Sequence, residues 1–367
     1  MLYICDESFR RMADSHLREA STMIHPITIN DLMRLKEPLP LADVRTPAEF
    51  AHGHVPGAFN LPLFSNEERV LVGTKYKQVG KEAAILLGFD LTGPKWSGFI
   101  RQALEIAPQK KIALHCWRGG MRSGAMAWAL DLYGFEVFLL QGGYKHYRRW
   151  VLDQFEATYP LFLLGGMTGS GKTRILHELR ALGQQVIDLE ELAQHQGSSY
   201  GSMNKFVQPT QEQFENNLAA ELSKHDRQRK IWVEDESSSI GKCMVPRPFW
   251  NQMVTSFLID IKVPAAHRME ALMQEYGSLD KNFLLECTAR IRKRLGHDRA
   301  KNAMLAIEED RMADFIQVVM TYYDKSYRSS LIRRDPGHIL PVDLENTDHQ
   351  QNAREILNAI QAIPQAH

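Results

Sequence analysis

The sequence predicts an α/β protein with two parallel-sheet domains in tandem. Three observations carry that prediction. Short apolar runs alternate with segments of helical periodicity along most of the chain, the pattern of strand and crossover helix. A cysteine loop with adjacent glycines, Cys116-Trp117-Arg118-Gly119-Gly120-Met121-Arg122, lies between an apolar run and a helical one. A second glycine-rich loop, Gly166-Met-Thr-Gly-Ser-Gly-Lys-Thr173, follows another apolar run. Ligands of such sheets gather at the carboxyl ends of the strands, where both loops fall.

Bulk properties narrow the function class. The chain has 367 residues, room for two ordinary domains, and 44 basic against 44 acidic residues. A formally neutral chain has no global field for nucleic acid, so any such contact needs a local basic patch. Cys5, Cys116, Cys243 and Cys287 are far apart and form no CxxC pair, which argues against a zinc site or a disulfide scaffold. A chain that depends on a free thiol suits a reducing cytosol. No apolar stretch approaches ~18 residues and the N-terminus lacks a signal-peptide core, so the expectation is a soluble cytoplasmic enzyme without membrane contact.

Residues 1–25 show mixed charge without periodicity and are taken as an arm. In the first domain, residues 26–150, strands are expected at Pro26–Ile29 and Leu39–Arg45, with a short helix at Asn30–Leu35 between them. Thr46 as N-cap, Pro47 at the first helical position and Glu49 three residues past the cap make a sound helix start. Ala58–Leu63 is a further strand, residues 66–90 are partly helical, and Phe99–Ile106 is a helix. Lys111–Leu114 is the strand before the cysteine, Arg122–Tyr133 the helix after it, and Phe135–Leu140 the last strand. Between Leu114 and Arg122 the loop can turn backbone N–H groups toward one sulfur at a helix N-terminus. There the dipole and Arg122 favour thiolate over thiol. Cys116 is therefore read as a reactive sulfur.

The second domain spans residues 151–345, followed by a C-terminal helix or tail, 346–367. Leu161–Leu164 is a strand, and Gly166–Thr173 fits GxxxxGK[ST] at every fixed position. Gly166, Gly169, Ser170 and Gly171 let backbone amides face a di- or triphosphate. Lys172 adds a point charge and Thr173 is placed to hold Mg²⁺. A helix Thr173–Leu182 stops at Gly183, and Gln185–Leu189 is a strand carrying Asp188. Gln211–His225 is a helix, and Lys230–Ser237 a strand ending in Glu234, Asp235 and Glu236. Pleat phase puts Ile231, Val233 and Asp235 on one face and Trp232, Glu234 and Glu236 on the other. Asp235 is the preferred Mg²⁺-organising acid, with Asp188 a second candidate and a solvated acidic turn the alternative. Phe257–Val263 is a strand, helices follow to about Tyr327, and Ile339–Val342 closes the sheet. Cys243 and Cys287 lack a basic loop and read as packing residues.

Two basic segments stand apart. On a continuous helix Arg290, Lys293, Arg294, His297 and Lys301 would share one side, unless Gly296 interrupts it. That run is a solvated face, a phosphate closure over the glycine loop, or an RNA backbone contact. Tyr144–Trp150 mixes Lys145, His146, Arg148 and Arg149 with aromatics, a combination of charge and stacking platforms suited to RNA.

Asp43-Val-Arg-Thr-Pro-Ala-Glu-Phe50 with His54-Val-Pro-Gly-Ala-Phe-Asn-Leu-Pro62 resembles the first signature of rhodanese-type sulfurtransferase domains. The Cys116 loop and Gly142-Gly143-Tyr144 resemble the later two. This likeness covers about residues 26–150 and implies that Cys116 carries a chalcogen atom, as a persulfide or its selenium analogue. Asp43 and Arg45 then read as a structural ion pair. A rhodanese-like domain followed by a P-loop NTPase-like domain, with Asp188-Leu-Glu190, His195-Gln-Gly-Ser198 and Val233-Glu-Asp-Glu-Ser237, is similar to the tRNA 2-selenouridine synthase family over roughly residues 26–330.

That resemblance implies replacement of sulfur by selenium in wobble 2-thiouridine, with selenophosphate as donor, through an S-geranylated intermediate made from geranyl diphosphate. Cys116, with Arg118 and Arg122 nearby, would hold the selenium. The tRNA anticodon loop would be the partner, with a selenophosphate-supplying enzyme as a further one and no permanent cofactor. Two other classes remain open on sequence. His115-Cys116 followed by Arg122 satisfies the HCx5R loop of cysteine phosphatases, though no acid lies within it. A nucleotide-switched RNA-binding or regulatory protein is the other.

Overall fold

The computed structural model describes residues 23–195, 200 and 207–361. They fall into two compact units that divide between Trp150 and Val151. In the first, β1 (Ile24–Ile27), β2 (Leu41–Asp43), β3 (Phe59–Asn60), β4 (Lys111–His115) and β5 (Glu136–Leu140) form one parallel sheet. Its order is β1-β5-β4-β2-β3. Ile112, Ala113 and Leu114 of central β4 are fully buried, as a parallel strand covered on both faces requires. Register pairs Asp43 with His115, so β2 and β4 end together and Cys116 leaves from that edge.

Local signals explain the surrounding elements. Thr46 and Glu49 close a capping box on helix Pro47–His52, and Ser65 and Glu68 do the same for Asn66–Gln78. A second helix, Lys81–Thr92, completes the segment read as partly helical. β2 stops at Asp43, short of the expected Arg45, because Asp43 Oδ1 accepts the Arg45 N–H and turns the chain out of the ladder. Arg45 is buried, donates to the Asp43 carboxylate at 2.6 Å, and stacks 3.6 Å from the Tyr144 ring centroid. The pair is structural.

Two expectations for this unit are corrected. Ile24 and His25, assigned to the arm, belong to β1, where they pair with Val137 and Phe138; residues 1–22 lie outside the described residues. Tyr144, Tyr147 and Trp150 are buried on helix Gly143–Glu156 and are core residues, not stacking platforms for RNA. Helical spacing turns that apolar stripe inward and leaves Lys145 and Arg149 exposed, with Arg148 half-buried.

The second unit holds a parallel sheet of β6 (Leu161–Gly166), β7 (Gln185–Ile187), β8 (Ile231–Glu234), β11 (Phe257–Lys262) and β12 (Ile339–Asp343). Its order is β12-β11-β6-β8-β7, and a small antiparallel pair joins β9 (Ser239–Ile240) to β10 (Cys243–Met244). The glycine loop leaves central β6, and register places Leu164 beside Glu234. Helices between Ala265 and Leu331 gather around Leu272, Tyr276, Phe315 and Ile316. Helix His349–Gln361 buries Ala353 and Ile356 with Leu176 and Leu179 of the helix after the glycine loop.

The basic run at 290–301 is not one helix. Helix Lys281–Arg290 ends at Ile291, a short turn Arg292–Leu295 follows, and Gly296 at φ +93° starts His297–Glu308 on a new axis. The expected common face of Arg290, Lys293, Arg294, His297 and Lys301 is therefore broken.

Candidate functional site

Cys116 follows β4, and its loop is built around the sulfur. The Gly120 N–H donates to Sγ at 3.3 Å and the Ser123 hydroxyl donates at 3.2 Å. Gly119 takes φ +65°, a left-handed conformation that suits glycine. The loop is held from behind by helix Gly143–Glu156. Tyr144 N–H donates to the Cys116 carbonyl and Lys145 N–H to that of Trp117, both at 2.9 Å. Any Cβ on Gly143, itself at φ +59°, would sit 2.4 Å from the Cys116 carbonyl oxygen. Only glycine permits that approach, which gives the Gly142-Gly143-Tyr144 motif its physical meaning.

Burial pushes the Cys116 thiol up, but hydrogen bonds from Ser123 and the N–H groups of Ser123, Arg118 and Gly120 outweigh it and hold the thiol below its ordinary value. Cys243 and Cys287 are also buried, and there burial pushes the thiol up with no comparable compensation. Among the described cysteines Cys116 alone is tuned toward thiolate; Cys5 lies outside them.

The source of the tuning differs from the sequence expectation. Arg122 donates to Glu49 at 2.7 Å, so its charge is spent on the carboxylate that also caps helix Pro47–His52. Arg118, Trp117 and Met121 are exposed on the loop surface. Ser123 directly follows Arg122, and Glu49 is legible as a helix cap. The sequence assigns neither its role here, setting the thiol and restraining the arginine, because both roles depend on contacts made only in the fold.

The second site is the P-loop. Gly169 and Gly171 adopt φ +80° and +76°, and helix Lys172–Ala181 begins directly after them. Lys172 Nζ donates to the Gly166 carbonyl at 3.0 Å, and Thr173 Oγ1 donates to Glu190 at 3.4 Å. The Ser170 hydroxyl is buried without a partner. Arg268, also buried, braces the loop by donating to the Thr168 carbonyl and, bidentately, to Asp324 at 2.8 Å. The loop opens on a cavity of about 730 Å³ whose walls include Glu190, Glu234, Glu236 and His195.

The acid assignment is corrected here. Asp235 is clamped by Arg334 at 2.6 Å and is not part of the cavity wall. The opposite pleat face, Glu234 and Glu236, supplies the acids, because Leu164–Glu234 pairing carries that face to the mouth of the loop. Glu234 Oε2 accepts from the N–H groups of Leu189 and Glu190, while Oε1 is buried without a partner. Burial, with repulsion from Glu236 and against attraction by Lys172, pushes Glu190 up to about 8. Burial and the neighbouring carboxylates also push Glu234 well up, and burial raises Glu236. Asp188 lines the same cavity, but its oxygens are engaged: one accepts the Glu191 N–H at 2.7 Å and the other lies 2.8 Å from His177 Nε2. Thr173, Glu190 and Glu236 form an all-oxygen donor set of the kind hard Mg²⁺ takes.

None of Arg290, Lys293 or Arg294 lines the P-loop cavity, and all three are exposed. Phosphate closure by that run is thereby set aside. Gln196–Ser198, part of the His195 motif, lie outside the described residues.

Comparison with known proteins assigns both units. A family model described as a rhodanese-like domain matches residues 28–149, and one described as the tRNA 2-selenouridine synthase AAA domain matches residues 159–354. A tRNA 2-selenouridine synthase of Nitrosomonas europaea is 36% identical over 349 residues, covering 80% of this chain and 90% of that protein. The chain belongs to the tRNA 2-selenouridine synthase family. The synthases of Hydrogenovibrio crunogenus and Shewanella sediminis are 36% and 35% identical, over 79% and 80% of this chain and 88% of each relative. Within this tRNA 2-selenouridine synthase family member, the rhodanese-like match contains the tuned thiol and the AAA match contains the whole P-loop cavity. No helix among the described residues is long and apolar enough to cross a membrane.

Proposed function

We propose that the chain replaces sulfur by selenium in wobble 2-thiouridine of tRNA, with selenophosphate as donor and an S-geranylated base, made from geranyl diphosphate, as intermediate. One observation carries the reading: a thiol tuned toward thiolate and a P-loop lie in the two units of one family member. The order of chemistry follows from leaving-group ability. A thiocarbonyl sulfur leaves poorly, whereas an S-alkylated sulfur leaves as a thiol.

The P-loop unit grips the diphosphate through its backbone amides, and Lys172 stabilises charge as pyrophosphate departs. Thr173, Glu190 and Glu236 would hold Mg²⁺, which would supply further neutralisation of that charge. The Cys116 loop holds the selenium and delivers it to C2 of the base. An anticodon-loop base is reachable without opening a duplex. Lys145, Arg148, Arg149, Arg290, Lys293 and Arg294 are the candidate RNA backbone contacts. A cytoplasmic location and a selenophosphate-supplying enzyme belong to the same proposal.

The phosphatase alternative fits less well, since its loop arginine must face the bound anion and Arg122 is held by Glu49. Mass spectrometry of nucleosides from tRNA incubated with the protein, selenophosphate and geranyl diphosphate tests the reading. A selenium-bearing wobble uridine is expected. Cys116→Ala stops at geranylated tRNA, and Lys172→Ala makes none. Selenouridine formed by Cys116→Ala at the wild-type rate would refute the division of labour.

A further inference from the structure

The first unit contains a second cavity of about 730 Å³ that neither thiouridine nor selenophosphate explains. Its floor is apolar: Leu63, Phe64 and Ala84 are buried there, with Val72, Ile85 and Trp96 around them. Met121, Gly124 and Ala125, from the start of the helix after Cys116, form one wall. Arg69, Lys77, Lys81 and Arg118 also line it, and no aspartate or glutamate does. The volume lies within the roughly 300–1,000 Å³ typical of small-molecule sites. A hole of this kind takes a ligand with a long apolar chain and anionic groups at its mouth.

We propose that this cavity holds the acyclic terpenyl chain of the S-alkylated base while selenium is delivered, with RNA phosphates on its cationic rim. The inference rests on the S-geranylated intermediate proposed above. It places the chain beside the Cys116 loop, so that the C2–S bond to be broken lies where selenium is held. In that step selenium of selenophosphate, already at the oxidation level of selenide, forms the C2–Se bond as the C2–S bond breaks. The electron pair leaves with the geranyl thiolate, which takes up a proton; water then attacks phosphorus, the Se–P bond breaks, and phosphate departs, leaving selenium on C2. No oxidant or reductant is required. The P-loop already provides a diphosphate site, so the cavity is assigned to the alkylated base and not to free geranyl diphosphate.

The test uses the full chain, anticodon-loop RNA bearing either S-geranyl- or S-methyl-2-thiouridine, and selenophosphate. Wild type is expected to prefer the geranyl RNA by at least roughly tenfold in kcat/KM, a factor that burial of two methylenes already supplies. Ile85→Trp, which narrows the cavity, and Ala125→Phe on the wall formed by the helix after Cys116 should each erase that preference. Both should geranylate 2-thiouridine RNA with an unchanged KM for geranyl diphosphate, which also shows that they fold. Equal use of the two RNAs by wild type, or a retained preference in both variants, overturns the assignment. A raised KM for geranyl diphosphate in the variants overturns it too, in favour of the free diphosphate as occupant. If wild type neither makes nor consumes S-geranyl RNA, the underlying functional reading fails instead, so the two failures are separable.

Discussion

Replacing Ser123 by alanine gives the sharpest test of how the reactive thiol is made. Ser123 is fully buried, and its hydroxyl lies 3.2 Å from Cys116 Sγ and 3.2 Å from the Gly120 carbonyl. It has one proton to give, and an anionic sulfur is the stronger acceptor. A hydrogen bond to a charged group contributes roughly 1.5–3 kcal/mol. Its loss should therefore raise the Cys116 thiol, because the Ser123 hydrogen bond is the largest of the contributions that hold it down. The Gly120 N–H remains, so the thiol is shifted and not returned to a fully buried value. Carbamidomethylation of the Cys116 peptide, followed by mass spectrometry across pH, reads the midpoint separately from the other cysteines. Wild type should titrate below an ordinary cysteine and Ser123→Ala above wild type. An unmoved midpoint would refute the hydroxyl's role and leave the backbone amides as the sole source of tuning.

Four further outcomes follow from the same geometry. Gly143→Ala forces a left-handed alanine and a 2.4 Å contact onto the Cys116 carbonyl; calorimetry should show a loss of roughly 2–5 kcal/mol in the first unit, and the Cys116 midpoint should rise. Arg122→Ala should leave that midpoint nearly unchanged, since its partner is Glu49, and should cost roughly 1–3 kcal/mol, because the pair is mostly buried and Glu49 loses its cation. Lys172→Ala should abolish diphosphate binding in equilibrium dialysis while Cys116 alkylates as in wild type. Glu190, with its pKa raised from 4.5 to about 8, keeps a proton in the fold that the unfolded chain releases. Its contribution to stability is full below about pH 4.5 and is lost as pH rises toward about 8. Denaturant melts of Glu190→Gln should therefore show a flatter decline across that window than wild type.

Much of both sites was legible because their motifs are local. The strand–loop–helix around Cys116 and the GxxxxGK[ST] loop declare themselves within a dozen residues, and backbone conformation follows from their glycines. What escaped depends on pairing between distant segments. Glu49 meets Arg122 across 73 positions, and Arg334 meets Asp235 across 99, so the charges that cancel each other are invisible to a reading of neighbours. Strand phase correctly grouped Glu234 with Glu236, but which face meets the loop is fixed by register with β6. Tyr144–Trp150 misled for a related reason. Aromatics among basic residues look like a nucleic-acid platform until helical spacing is resolved into an inward stripe and an outward one.

The two sites reach opposite electrostatic solutions to the handling of anions. Around Cys116 the donors are fixed hydrogen bonds, so the loop favours negative charge on its sulfur without an added ion. The P-loop cavity instead gathers Glu190, Glu234 and Glu236 near Lys172, and burial, with repulsion between neighbouring carboxylates, pushes all three up. One ammonium cannot neutralise both a diphosphate and three ionised acids, so the carboxyls must stay protonated or share a divalent cation when the ligand arrives. These routes differ in proton count. Binding that releases protons and strengthens with Mg²⁺ marks the cation route, because metal ligation requires deprotonated carboxylates. Binding that takes up protons and ignores Mg²⁺ marks the other. The raised value of Glu190 puts that distinction near neutral pH, where calorimetry in buffers of different ionisation enthalpy can count the protons directly.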